Sequence, residues 1–169
     1  MDKFIKIQEK KFEGALDEIR KGRKVSHWIW YIFPQIKGLG WSNICQYYEL
    51  KSLNEARDYL NDNYLRQNLL KITNALLQYK NRKKISEIMD DIDSIKLKSC
   101  MTLFKYAANK REYRGIFQKV LDGFFEGKDD IETLKILEID KDRKPFLTKP
   151  IFYNGYNVEN IYNSQNNYK

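Results

Sequence analysis

YLRQNLLKITNALLQY, residues 64–79, carries Leu65, Leu69, Ile72 and Leu76 at alternating steps of four and three. That spacing puts all four side chains on one face of an α-helix and leaves the polar residues on the other. The same pattern recurs on both sides. Upstream, Ile5, Phe12, Leu16 and Ile19 share a face with Ala15, and Gly22 sits where a helix C-terminal glycine belongs, which predicts a helix over 3–21. Ser52 and Glu55 form the S-x-x-E signature that starts a helix over 53–61, and Ser42 can cap one over 43–50. Downstream, a short helix from Ser86 ends in the acidic DDID, and Ser94 opens a helix whose buried face is Leu97, Met101, Phe104 and Ala108. Tyr113, Ile116, Phe117, Val120, Phe124 and Phe125 mark the most apolar helix; Gly127 ends it, and Asp129 or Asp130 caps a last one through Glu138. No segment alternates with the period of a strand, and no repeat is present. The expectation is an all-α fold, a single globular multi-helix domain over 1–139. From Asp140 the chain turns rich in Pro, Asn, Lys and Tyr with no helical stripe, so 140–169 reads as an irregular C-terminal arm.

A chain of 169 residues with 42% apolar and 14% aromatic content can fill a core, burying roughly two-thirds of its unfolded surface. No apolar run approaches the roughly 20 residues needed to span a bilayer, and the N-terminus resembles no targeting peptide, so a cytoplasmic protein without a membrane partner is expected. Cys45 and Cys100 lie far apart and read as reduced thiols. With one His and no C-x-x-C pair a Cys/His zinc site is out of reach, and neither a metal nor a cofactor is expected. The net charge of +8 points toward a polyanion or a phosphate-bearing small molecule. Against that, Lys, Asn, Ile and Tyr are enriched together, the signature of an AT-rich coding sequence, and Lys outnumbers Arg although bidentate phosphate binding prefers Arg.

The rarest residue types gather in SHWIWYIFPQIKGLGW, 26–41, which holds the single His, all three Trp and one of three Pro. Ser26 can cap a short helix through Phe33, which Pro34 stops. On that helix His27, Trp30 and Tyr31 share one side while Trp28, Ile32 and Gln35 lie on another. Phe33 adds a further ring, and Gly38 and Gly40 make a tight loop. Aromatic faces, an imidazole, an amide and glycine backbone N–H groups suit a planar base or a sugar-phosphate, with Arg23 and Lys24 placed to meet phosphate. The plainer reading is an aromatic core segment whose His bonds a backbone carbonyl. A second patch, DSIKLKSCMTLF over 93–104, sets Lys98 and Thr102 one turn apart, on a ligand or on the solvated face of a core helix. The acidic run Asp90, Asp91, Asp93 has no diagnostic cation-binding spacing and fits a helix-terminal loop equally. Asp122 and Glu126 read as surface groups able to pair with Lys119 or Lys128.

Four segments, GRKVSHWIWYIFPQIKGLG, YYELKSLNEARDYL, DDIDSIKLKSCMTLF and FQKVLDGFFEGKDDIETLKIL, resemble in order a widespread bacterial family of small α-helical proteins. That family is classed as a domain of unknown function and sometimes mislabelled calpastatin. The resemblance spans roughly residues 4–137. This chain departs from the family in having Cys100 where the family has a small polar residue, and in the tail after Asp140. A weaker resemblance links the order of elements to the NADAR group, helical proteins tied to ADP-ribose and N-glycosidic bond cleavage. There an acidic residue occupies the position held here by Ser26.

The resemblance implies an ADP-ribose-type nucleotide as ligand, bound and hydrolysed, or bound without cutting. Trp28 or Trp30 would stack on it, while Arg23, Lys24 and Lys98 would neutralise phosphate. His27 would move the proton and Gln35 would orient the substrate. Ser26, Phe33, Gly38, Gly40 and Thr102 would line the site, and Glu49 or Asp93 would supply the carboxylate that N-glycosidic cleavage wants. Two other classes compete. One is a nucleic-acid-binding module using the basic residues around 20–24 and 80–84. The other is a protein-interaction domain whose aromatic cluster is simply its core.

Overall fold

The structure, a computed structural model, describes residues 1–138 and two short strands beyond them. Nine helices occupy 1–138: α1 (Asp2–Arg20), α2 (Ile29–Ile32), α3 (Asn43–Tyr48), α4 (Leu53–Asn61), α5 (Asn63–Leu77), α6 (Ile85–Ile88), α7 (Asp91–Ala107), α8 (Arg111–Phe124) and α9 (Ile131–Ile136). The strands Phe152–Tyr153 and Tyr156–Asn157 pair antiparallel, so the sequence pattern missed this small pairing. The remainder of the expected 140–169 arm lies outside the described residues. No helix among the described residues is long and apolar enough to cross a membrane.

The helices begin where side-chain oxygens can take orphan backbone N–H groups. Ser42, Ser52, Asp62, Asp90 and Asp130 each accept such a bond at the starts of α3, α4, α5, α7 and α9. This corrects one expectation. Asp90, not Ser94, opens α7, so the helix begins a turn earlier and Ser94 bonds back to the Asp91 carbonyl at 2.9 Å.

Helix α7 is the axis of the fold. It packs on α8 and α4 and also meets α2, α6 and α9, while α1 packs on α5 and α2. Its residues 99–107 are buried without a break, so α7 has no solvent face there. The rings of Phe4, Tyr59, Phe104 and Phe117 follow one another through the core, Phe4 meeting Tyr59 edge-on at 5.3 Å. Two polar clusters are built into it. Gln8 donates to the Tyr31 carbonyl at 2.7 Å and to the Tyr59 hydroxyl at 2.9 Å, and accepts from Asn68 at 3.0 Å. Lys105 forms a fully buried ion pair with Asp129, which also accepts from the Tyr106 hydroxyl at 2.8 Å. Cys100 is buried, Cys45 half-buried, and both are free thiols.

Candidate functional site

The chain leaves α1 through Gly22, whose φ of +79° is left-handed. A Cβ there would meet Lys83 Nζ at 2.8 Å and the Tyr79 ring at 3.0 Å, so glycine lets the turn after α1 lie against the turn after α5. The next residues are pinned from both sides. The Lys24 N–H donates to the Ile88 carbonyl at 2.7 Å. Its ammonium pairs with Asp93 at 2.6 Å, with only 6% and 13% of the two side chains exposed, and lies 4.9 Å from the Trp28 ring centre.

Glu18, on the last turn of α1, does the rest. Its carboxylate accepts from the Val25 and Ser26 N–H groups, the Ser26 hydroxyl and the Trp28 indole N–H. Burial pushes this carboxyl up, but those hydrogen bonds outweigh it and hold its pKa at about 2. Ser26 therefore caps nothing. Its hydroxyl and N–H are spent on Glu18, and the helix expected over 26–33 shrinks to α2, Ile29–Ile32.

The pinned loop forms one wall of a polar groove of about 540 Å³. Arg23, Lys24, Val25 and His27 line that wall, and Ser86 to Asp90 with Asp93 line the other. Four expected site residues thus meet: Arg23, Lys24, His27 and Asp93. The His27 side chain is exposed at its rim.

A second group forms elsewhere. The Leu50 N–H donates to the Gln35 carbonyl at 2.9 Å and the Lys37 N–H to the Leu50 carbonyl at 2.8 Å, stitching residues 35–37 to the end of α3. Trp30, Gln35, Gly40 and Glu49 then border a crevice with Ile36, Cys45 and Tyr48. Its free space is about 10 Å³, room for about one water and not for a nucleotide. The Trp30 indole nitrogen is buried with no hydrogen-bond partner among the described residues, and Lys96 sits 5.0 Å from the ring centre. Outside the crevice, Gly38, Gly40 and Glu49 border a shallower surface groove with Lys37, Gln46 and Trp41, whose ring is 91% exposed.

Four expectations are overturned. Trp28 is 2% exposed with its indole bonded to Glu18, so it stacks on no ligand. Phe33 is fully buried against Trp28, a core ring. Thr102 is buried; its hydroxyl donates to the Lys98 carbonyl and accepts from the Asp130 N–H, both at 2.9 Å, which ties α9 to α7. Lys98 lines neither groove; its ammonium lies 6.0 Å from the Phe125 ring centre. Glu126 does pair with Lys128, whereas Asp122 accepts from Gln118 instead of a lysine. Among the described residues no group of three His, Cys, Asp or Glu side chains could hold a metal ion.

Residues 1–137 match a family model described as "Protein of unknown function (DUF1810)". The chain belongs to this family. The chain is also similar to a solved structure, the conserved hypothetical protein Rv1873 from Mycobacterium tuberculosis, at 33% identity with a TM-score of 0.77, covering 82% of this chain and 96% of that one. No curated protein matches the chain. The DUF1810 match spans α1 to α9.

Proposed function

We propose that the groove between the 23–27 loop and residues 86–93 binds a nucleotide of the ADP-ribose type and cleaves an N-glycosidic bond at its ribose. The observation that supports this is convergence: Arg23 and His27 come from one segment and Asp93 from another far along the chain, yet all line one groove of nucleotide size. Arg23 is exposed at its wall and without an ion pair among the described residues, so its guanidinium is open to a diphosphate. His27 protonates the leaving base as the ribose C1–N bond breaks. Positive charge then grows on the ribose ring, and the ionised carboxylate of Asp93, held by Lys24, stabilises it. Water adds at C1, and Asp90 on the same wall takes its proton. The NADAR likeness agrees with a carboxylate in this place. Ser26 stands where that group has its acid, and Asp93 brings the charge from α7 instead.

Binding and turnover are tested on the same samples. Purified protein with ADP-ribose, NAD or AMP is followed by thermal shift, and products by chromatography. A ligand at about 100 times its Kd raises Tm by about 5–10 °C. The reading requires that His27→Ala keeps the shift while abolishing product, and that Arg23→Ala weakens the shift.

A further inference from the structure

We propose that the surface formed by the two basic turns, 20–24 and 80–84, binds the phosphate backbone of a single-stranded nucleic acid that runs past the groove. Each turn alone would be a solvated charge run. The fold places them against each other. Lys83 Nζ donates to the Gly22 carbonyl at 2.9 Å, the Tyr79 hydroxyl donates to the Arg20 carbonyl, and Gly22 permits the approach.

Within the two turns every side-chain charge is positive; the carboxylates of Glu87 and Asp90, without an ion pair among the described residues, line the adjoining groove. Arg20, Arg23, Lys80, Arg82 and Lys84 are exposed and have no ion pair among the described residues. Lys21 is matched by Asp17 at 2.7 Å and Lys24 by Asp93 at 2.6 Å. Glu18, the carboxylate that could have neutralised the turn, is consumed by the backbone and side chains of 25–28. Arg82 is held 5.2 Å from the Tyr79 ring centre, which orders its guanidinium before any ligand arrives. Packing five unmatched cations into two touching turns costs repulsion that a polyanion relieves.

Three features favour a strand over other polyanions. The patch opens directly into a groove that admits an unpaired nucleotide, which a stacked duplex cannot offer. His27 presents an exposed ring at the rim for a base to stack on. Val25 is the one exposed large apolar side chain in 20–27, too little to insert into a lipid surface. The choice of a single strand rests on the groove accepting a nucleotide, whereas the phosphate contacts do not.

Fluorescence anisotropy with a labelled 12-nucleotide oligo(dT) is the test. With about four phosphate contacts, affinity falls about 50-fold between 50 and 200 mM salt. Arg20→Glu/Arg82→Glu lowers affinity at least 10-fold and flattens the salt slope, with Tm and the ADP-ribose thermal shift unchanged. Equal binding by that variant, equal binding of a blunt duplex, or binding to phosphatidylserine vesicles without binding to the oligonucleotide overturns the proposal. Oligonucleotide binding lost in the variant, with no ADP-ribose shift in either protein, upholds this surface and sinks the nucleotide-cleavage reading.

Discussion

Glu18 shows what single residues do here and why sequence alone hides it. On paper it is one of several acids on the polar face of a helix. In the fold it gathers donors from residues seven to ten positions later, after the chain has reversed. Its sign with pH is fixed. The folded pKa of about 2 lies below the ordinary 4.5, so its stabilisation is present above about pH 4.5 and is lost as pH falls toward 2. Glu18→Gln leaves poorly matched donors, the buried Trp28 indole among them, and costs about 1–3 kcal/mol at pH 7. Melts from pH 7 to 2 should show the gap between wild type and variant closing in acid; a gap that stays constant would mean the charge is irrelevant. The same blindness explains the Trp28 error. Helical spacing placed it beside Ile32 and Gln35 on a helix running from Ser26, but α2 begins after it, and its ring turns inward to the α1 carboxylate. His27, one residue earlier, stays outside.

At the scale of elements the amphipathic helices were legible and their ends less so. The stripe of α5 is its buried face, and that of α1 is too except at Ile5, because 3.6-residue periodicity needs only local geometry. Of the six residues marked for α8 only Phe117 and Val120 are buried, beside Arg114 and Leu121. Helix α7 was read as one-sided, although residues 99–107 are surrounded, and a helix buried all round has no stripe to read. Its start was misplaced because Asp90 and Ser94 are both good caps, and only the Lys24–Asp93 contact and the packing of α6 decide between them. Asp90→Ala should cost about 1 kcal/mol, read by chemical denaturation. The Lys105–Asp129 pair joins α7 to the start of α9 and is fully buried. Asp129→Ala leaves an ammonium without its carboxylate in the core and should cost about 3–5 kcal/mol, lowering Tm by on the order of 10 °C. A loss as small as a surface pair's would show that the pair is not buried in solution.

The whole molecule divides what the sequence had grouped. The stretch 26–41 looked like one site and becomes four places: core rings (Trp28, Phe33), a narrow crevice at Trp30, a surface groove at Gly38 and Trp41, and the rim of the polar groove at His27. Proximity in sequence suggested a single pocket, but the turn at 33–35 and the stitch to Leu50 send the second half away from the first. Conversely, Asp93 and the two basic turns were singled out separately and meet only through tertiary packing. The most direct test of the groove is calorimetric titration of ADP-ribose into wild type, His27→Ala and Arg23→Ala at 50 and 200 mM salt. The account predicts saturable one-to-one binding that survives the higher salt, is kept in His27→Ala and falls at least tenfold in Arg23→Ala. No heat of binding in wild type, or equal affinity in Arg23→Ala, would contradict it.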